Sequence, residues 1–369
     1  MSDYRGRIAQ LQARMQQEGA GWAVFAATDQ MRYLTGWAEY GHERLVGLFV
    51  PVQGEPIFVV PAMNAQQAHS NPAGISQVIG WDDATGWHGE VKAFLEQWNV
   101  GKSGTVLVDD ELYSVHLIGL QSFWPGPRYD AAGETMARLR EIKTPEELAN
   151  MQHAADQIDA IYLEALGALT EGMTEIDLQD FILNALKRHG TTASFTPLIC
   201  FGANAAMPHH HTGSAKLQKG DIVIIDIGSS CEGYASDITR TVAFGTPRDP
   251  EAFRIYEIVS KAHWKAREVG QPGVSGEAVD AAARQVITEA GFGPQFIHRT
   301  GHGIGLSTHE PPYIVKSSIA PLLPGMCFSV EPGIYLSGRF GVRIENIVTM
   351  TTEGIRSLNA EAPLELHVI

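Results

Sequence analysis

Four acids and one histidine stand where ordinary strand or turn sequence gives no reason for them. Asp226 lies in Ile222-Val-Ile-Ile-Asp226-Ile, a run of β-branched apolar residues broken by that one acid. A carboxylate inside such a strand is expensive to bury unless something positive meets it. The competing reading is a strand-end acid that caps a turn. Asp237 follows eleven residues later, beyond the turn-like Gly228-Ser-Ser-Cys-Glu-Gly, and Val242 to Phe244 resumes a strand. An antiparallel hairpin of that length can set Asp226 and Asp237 side by side. Two carboxylates in contact repel unless they share a proton or a cation, and a divalent ion is the simpler answer in an apolar hairpin.

Further along, His298, His302 and His309 fall at spacings of four and seven around Gly301, Gly303 and Gly305. The glycines permit a turn and close backbone approach. Their spacing is not that of a dinucleotide-binding loop, which also needs a following helix. One histidine in such a place is more often structural, but three around a glycine turn favour a site. Phe328-Ser-Val-Glu331 ends an apolar strand on an acid. In Gly341-Val-Arg343-Ile-Glu345, Arg343 and Glu345 are two apart and share one strand face. Arg343 is placed to orient a carboxylate from outside the ligand set; its bland reading is a surface ion pair worth little. Four carboxylates and an imidazole form a hard, oxygen-rich donor set suited to Mn²⁺, Co²⁺ or Zn²⁺ rather than to a cysteine-bound structural zinc. With so many acids, two ions bridged by shared carboxylates are expected over one.

Residues 4–19 carry apolar residues at helical spacing, and short apolar runs at 22–25, 45–50, 56–60 and 106–109 alternate with helix-like stretches such as 87–98. This is an α/β pattern. Breakers at Pro125, Gly126 and Pro127 precede Thr144-Pro-Glu-Glu147. There Thr144 is a good N-cap, Pro145 suits the first helical position and Glu147 completes a capping box. A long helix is expected to about Leu169 and another after Thr174. Two domains follow, at 1–132 and 133–369.

The chain has 369 residues, 44% of them apolar, which is an ordinary globular composition. A net charge of −15, from 42 acidic and 27 basic residues, argues against a nucleic-acid partner. No apolar run approaches membrane-spanning length, and the first residues do not read as a signal peptide. Three scattered cysteines, Cys200, Cys231 and Cys327, form neither a disulfide framework nor a zinc motif. A reducing cytoplasm is the expected setting.

Taken together, Asp226-Ile-Gly, Gly-Tyr-Ala-Ser-Asp237, Thr-Gly-His302-Gly-Ile-Gly, Glu331-Pro-Gly and Arg343-Ile-Glu345 resemble the pita-bread metallopeptidases of the aminopeptidase P and prolidase group. The likeness covers most of 135–360. Met31-Arg-Tyr-Leu-Thr-Gly and Ile142-Lys-Thr-Pro-Glu-Glu look like that group's creatinase-like N-terminal domain and linker helix. The resemblance implies an α/β (α+β) chain in which a curved antiparallel sheet, covered by helices, carries the metals on its concave face. It implies that Asp226 binds one ion, Asp237 and Glu345 bridge the pair, and His302 and Glu331 complete the second. Manganese is the first expectation. A water between the metals would attack the scissile carbonyl, and Glu331 would carry its proton to the leaving nitrogen. His209 resembles the histidine on the opposite wall near the scissile bond, although His210 and His211 make it one of a run. His309 resembles the one contacting the substrate carbonyl and the leaving proline, and His298 one lining the proline pocket. A homodimer is implied.

Methionine aminopeptidase shares the ligand pattern but usually lacks so large an N-terminal domain. Creatinase lacks the full ligand set, and a catalytically dead binding module would have lost ligands. A peptide with proline in second position is therefore the expected substrate, either an Xaa-Pro dipeptide or, as the alternative, a longer Xaa-Pro peptide. Restriction to dipeptides needs a cation for the free proline carboxylate, and Arg44 in Trp37-Ala-Glu-Tyr-Gly-His-Glu-Arg44 is the candidate. A solvated loop is the competing reading.

Overall fold

A computed structural model describes residues 3–98 and 103–369. The chain divides into two compact units, Met1–Arg140 and Glu141–Ile369. In the first, six strands form one mixed sheet in the order Gln77–Trp81, Ile57–Pro61, Gly47–Pro51, Ala20–Phe25, Thr105–Val108 and Arg128–Ala131. The outer pairs run parallel and the inner hairpins antiparallel. Helices Tyr4–Glu18, His88–Gln97 and Ser114–Phe123 accompany it, with an apolar core that includes Trp22, Phe49, Val59 and Phe94. The helix Gly133–Arg140 falls in this unit.

The second unit opens on the helix Pro145–Ala168. Its capping box is complete: Thr144 Oγ1 accepts from Glu147 N–H, and Glu147 accepts from Thr144 N–H. The helix Glu175–Arg188 starts on a second capping box, between Thr174 and Asp177. These helices share a core with alternate residues of the strands Asp221–Ile227 and Ile238–Phe244, among them Val223, Ile225, Ile227, Ile238 and Val242. Because successive side chains of a strand point to opposite faces, putting 223, 225 and 227 into the helices turns Asp226 the other way. The two strands pair antiparallel with Asp226 opposite Thr239.

A five-stranded antiparallel sheet follows, in the order Glu310–Ile314, Gly301–Gly303, Cys327–Val330, Asn346–Thr351, Gly354–Ser357. Helices Glu251–Glu268 and Gly276–Glu289 pack on it through Ile255, Val259, Val279 and Ala283 against Phe328, Val330 and Val348. An isolated bridge between Thr239 and Glu345 joins the two sheets. The result is an antiparallel assembly with helices behind it and the acids on the face turned away from them. All three cysteines are free thiols. Among the described residues no helix is long and apolar enough to cross a membrane.

Candidate metal centre and active site

Register brings the acids together. Asp226 sits within its strand, and Asp237 immediately precedes the partner strand on the face shared by Thr239. Val330 pairs with Asn346, so Glu331 and Glu345 come off neighbouring strand ends side by side. His302 lies in the short strand Gly301–Gly303, its N–H donating to Ser329 Oγ at 3.0 Å. That strand can pass so close only because residue 301 is glycine: a Cβ there would stand 1.9 Å from the Ser329 carbonyl oxygen. Asp237, His302 and Glu345 offer donor atoms within 4.8 Å of one another. Asp226 and Glu331 line the same cavity, of about 560 Å³, with His209, His298, Arg299, His309 and Arg343.

The polar atoms in this cavity do not satisfy one another. Asp226 Oδ1, Asp237 Oδ1 and Glu345 Oε1 are buried without a hydrogen-bond partner, an arrangement that is costly and rare. The other oxygens are committed. Asp226 Oδ2 accepts from Arg343 Nη2 at 2.5 Å, Glu345 Oε2 from Thr239 Oγ1 at 2.7 Å, and Glu331 Oε1 from Ser329 Oγ at 3.1 Å. The tautomer of His302 follows from its partner. Nδ1 lies 3.0 Å from the Gly303 carbonyl oxygen, which can only accept, so Nδ1 carries the proton and the Nε2 lone pair faces the acids. That nitrogen is 3.4 Å from Glu331 Oε1 and 4.0 Å from Asp237 Oδ2. A lone pair and orphaned carboxylate oxygens meeting in one buried space is the pattern a divalent cation resolves, so the donor set fits a metal.

The same crowding shifts protonation. Burial first, then the neighbouring carboxylates, drives Asp237 and Glu345 well above the usual carboxylate range. Burial pushes Glu331 up to about 7 against the opposing pull of Arg343. His302 is pushed down to about 3 by burial and by His309, whose ring lies 4.1 Å away, which keeps it neutral and available as a ligand. In the metal-free chain these acids hold protons that the unfolded chain releases. Glu331 holds an extra proton in the folded state between pH 4.5 and about 7, so its contribution to stability falls as pH rises through that window, while His302 and His298, lowered from 6.5, contribute with the opposite sign below 6.5. Thermal unfolding of the chelated protein from pH 6.5 to 7.5, above the window in which the histidines titrate, is expected to show a declining midpoint, and titration with divalent metal at pH 7 is expected to release protons.

Arg343, buried on the cavity wall, organises one side of it. Besides Asp226, its guanidinium donates through Nε to Thr239 Oγ1 at 3.0 Å and through Nη1 to Tyr335 Oη at 3.0 Å. Tyr335 Oη lies 2.8 Å from His298 Nε2, and His298 Nδ1 2.7 Å from the Arg299 carbonyl oxygen. The carbonyl must accept from Nδ1–H, so Tyr335 donates to Nε2. Both ring nitrogens of His298 are thus spent inside the protein, and burial with the nearby Arg343 holds it down to about 4. His298 presents ring surface to the cavity, not a proton.

The three consecutive histidines take different directions. His209 lines the cavity, the Nε2 of His210 lies 2.8 Å from Glu175 Oε2, and His211 is exposed. Just after the exposed His309, Glu310 forms a buried ion pair with Lys143 at 2.6 Å. A Cβ at residue 305 would stand 2.6 Å from Glu310 Oε1, so that packing requires Gly305. Arg44 belongs to the first unit, where its guanidinium bonds to Asp83 Oδ1 at 2.9 Å and Oδ2 at 3.1 Å and to Glu43 at 2.8 Å. Three further participants are not among the residues singled out from sequence. Thr239 ties Arg343 to Glu345. Tyr335 ties Arg343 to His298. Arg299 lines the cavity with its guanidinium 4.8 Å from the Tyr313 ring. Position 239 shares a strand face with Asp237, and Arg299 stands inside the histidine–glycine segment; these were the available signals.

The fold and this site define a metal-dependent hydrolase of the peptidase kind. Residues 149–352, more than half of the chain, match the profile of Metallopeptidase family M24, and residues 7–142 that of the Creatinase/Prolidase N-terminal domain. The chain belongs to metallopeptidase family M24. It is 36% identical over 370 residues to a probable dipeptidase, PepE, of Mycobacterium tuberculosis, covering 99% of this chain and 96% of the relative. It is 34% identical over 366 residues to an Xaa-Pro dipeptidase of Lactobacillus helveticus, covering 95% of each. The crystal structure of a recombinant prolidase from Thermococcus sibiricus superimposes with a TM-score of 0.95 at 33% identity over the whole of both chains.

Proposed function

We propose that this metallopeptidase is an Xaa-Pro dipeptidase in which Asp226, Asp237, His302, Glu331 and Glu345 hold two divalent ions. The observation that carries the metal reading is the convergence of three partnerless buried carboxylate oxygens and the His302 lone pair on one cavity. Dipeptide and proline specificity are supported by relatives bearing those names. Divalent ions in such a centre supply Lewis acidity toward a carbonyl and lower the pKa of water. The chain's own groups do the rest. Glu331, beside the proposed ions, takes a proton from the attacking water and passes it to the leaving proline nitrogen. His309, exposed at one edge but with its pKa lowered by partial desolvation of its ring and by Arg299, donates toward the scissile carbonyl oxygen. His209 closes the opposite wall, and the ring of His298 packs against the proline. Manganese is the proposed native metal, with cobalt and zinc chemically acceptable to these ligands. A homodimer and a cytoplasmic setting belong to the same proposal.

The dipeptide's free carboxylate needs a cation. Arg44 would have to release Asp83 and Glu43 to serve, whereas Arg299 already lines the cavity. One observation favours the aminopeptidase alternative: a second cavity of about 840 Å³ shares His209 and His298 with the first and extends past Tyr335 toward Arg339, offering room for a longer chain. Rates on Xaa-Pro dipeptides, Ala-Pro-Ala and Met-Ala-Xaa peptides decide between them, and a faster tripeptide overturns the dipeptidase reading. In the same assay Arg299→Ala is expected to raise KM for Ala-Pro by about 10- to 100-fold, the loss of a charged hydrogen bond, while the tripeptide changes little. Arg44→Ala is expected to change the two substrates alike. The reverse pattern assigns the carboxylate to Arg44.

A further inference from the structure

The segment bearing His209 is tied down by a carboxylate that lies outside the metal centre. Glu175 is the first residue of the helix Glu175–Arg188, directly after its N-cap Thr174. Its side chain is completely buried, 0% exposed. Each oxygen takes two donors. Oε1 accepts from the main-chain N–H of Phe201 at 2.8 Å and from the Asn204 amide at 2.9 Å. Oε2 accepts from the Gly213 N–H at 2.9 Å and from His210 Nε2 at 2.8 Å. A carboxylate only accepts, so His210 presents Nε2–H. The helix is docked to the same segment through Ile176 N–H to Gly213 O and Glu175 N–H to Ala215 O, each at 3.1 Å. Its N-terminus favours the negative charge.

The four donors come from the beginning, the interior and the end of residues 201–213. Regular structure within that span is limited to the end of the strand Leu198–Phe201 and the short 3₁₀ turn Gly202–Ala206. His209 projects from it into the cavity and is largely exposed. Left to its own backbone, such a loop would sample many conformations. A reacting group displaced by about 1 Å can lose about 100-fold in rate.

We infer that Glu175 is the positioning residue for His209: by gathering Phe201, Asn204, His210 and Gly213 on one carboxylate it fixes the loop that aims His209 at the substrate. The inference rests on the proposed role of His209. It also assigns the neighbouring histidine a purpose, since His210 anchors and His209 faces the cavity. Glu175→Gln is the sharpest probe. It is nearly isosteric, yet its NH₂ must face a donor at whichever oxygen position it takes. His210 can change tautomer to accommodate it, but the Phe201 and Gly213 N–H groups cannot.

The test is a double-mutant cycle on the metal-loaded protein with Ala-Pro, combining Glu175→Gln with His209→Ala. Glu175→Gln is expected to lower kcat by about 10- to 100-fold with a smaller change in KM. In the His209→Ala background it is expected to change kcat by less than about twofold, since sites acting as a unit are non-additive. Metal affinity by calorimetry is expected to stay unchanged, which a collapse of the fold would not allow. In the zinc-loaded protein the His209 ring NMR signal is expected to shift or broaden. Should Glu175→Gln fail to fold, Asn204→Ala removes one donor and is expected to show the same pattern at smaller size. Multiplying losses in the double variant, or wild-type kcat in both Glu175→Gln and Asn204→Ala, overturn the inference alone. A neutral His209→Ala overturns it together with the role given to His209.

Discussion

Replacing Glu345 by Ala is expected to strip the protein of divalent metal and of peptidase activity together, while the chain stays folded. Glu345 is almost wholly buried, at 2% exposed, and stands at the bridge that joins the two sheets. Its Oε2 is held by Thr239, so only Oε1, without a partner, is free for a cation. Outer partners of metal ligands typically contribute about 10- to 100-fold in affinity, and loss of a proposed ligand itself is expected to exceed that. Metal analysis after dialysis, set beside Ala-Pro turnover, reads both effects. A metal-binding acid here has a second consequence that a merely structural acid would not. Without metal, Glu345 is a buried acid among carboxylates, and at pH 7 it must take up a proton to avoid a charge that costs on the order of a few kcal/mol to bury. Metal-free Glu345→Gln, which keeps the side-chain volume, is therefore expected to unfold at a higher temperature than the metal-free parent at pH 7. Metal should then stabilise the parent and not the variant. A variant less stable than the metal-free parent would mean that Glu345 contributes to folding and not to metal binding.

Asp226 was the acid that stood out in sequence by itself, whereas the grouping of Asp237, Glu331 and Glu345 with it came from the family resemblance. An aspartate in Ile-Val-Ile-Ile-Asp-Ile is energetically out of place unless it ends the strand and caps a turn, and the structure puts it inside the strand Asp221–Ile227. Helix starts were legible for a similar reason: Thr144, Pro145 and Glu147 are local chemistry, and the capping box forms as their spacing implies. Thr239 is the opposite case. Threonine is an ordinary strand residue, so nothing in its type betrays that its hydroxyl accepts from Arg343 and donates to Glu345. Arg299 offered only its place inside the histidine–glycine segment, a weak signal, because an arginine beside a turn is usually solvated. The histidine run shows a third kind of limit. Residues 209–211 are chemically identical, and what separates them is Glu175, thirty-odd positions earlier in the chain, which draws in His210. No local pattern carries that information. The helix Gly133–Arg140 likewise packs with the first unit through long-range contacts, such as the Tyr33 hydroxyl donating to the Leu139 carbonyl, that residue types near 125–145 do not reveal.

Arg343→Ala is expected to be the most destabilising single change in the metal centre, and Arg343→Lys the more informative one. Arg343 is 4% exposed, and its guanidinium makes three directed bonds, to Asp226, Thr239 and Tyr335. Truncation to Ala strands Asp226 as a part-buried carboxylate with no partner on either oxygen, a loss approaching the roughly 3–5 kcal/mol of a broken buried pair. It should be visible as a fall in unfolding midpoint in the metal-free protein, and metal at saturating concentration should recover part of it. Lysine keeps the charge but not the fork. It can satisfy Asp226 as a point charge, but it cannot also reach Thr239 and Tyr335 in the observed geometry. The expected outcome for Arg343→Lys is therefore near-parental stability with metal affinity weakened by about 10- to 100-fold, the usual range for partners behind metal ligands. Tyr335→Phe separates the two arms of the fork. It leaves Asp226 and Thr239 bonded to Arg343, so metal affinity should hold. It also removes the donor to His298 Nε2 and so frees that ring to turn in the cavity, which is expected to raise KM for Xaa-Pro substrates. Equal metal affinity in Arg343→Lys and the parent would show that Asp226 needs only a nearby positive charge, and would remove Thr239 and Tyr335 from the account of how this centre is held.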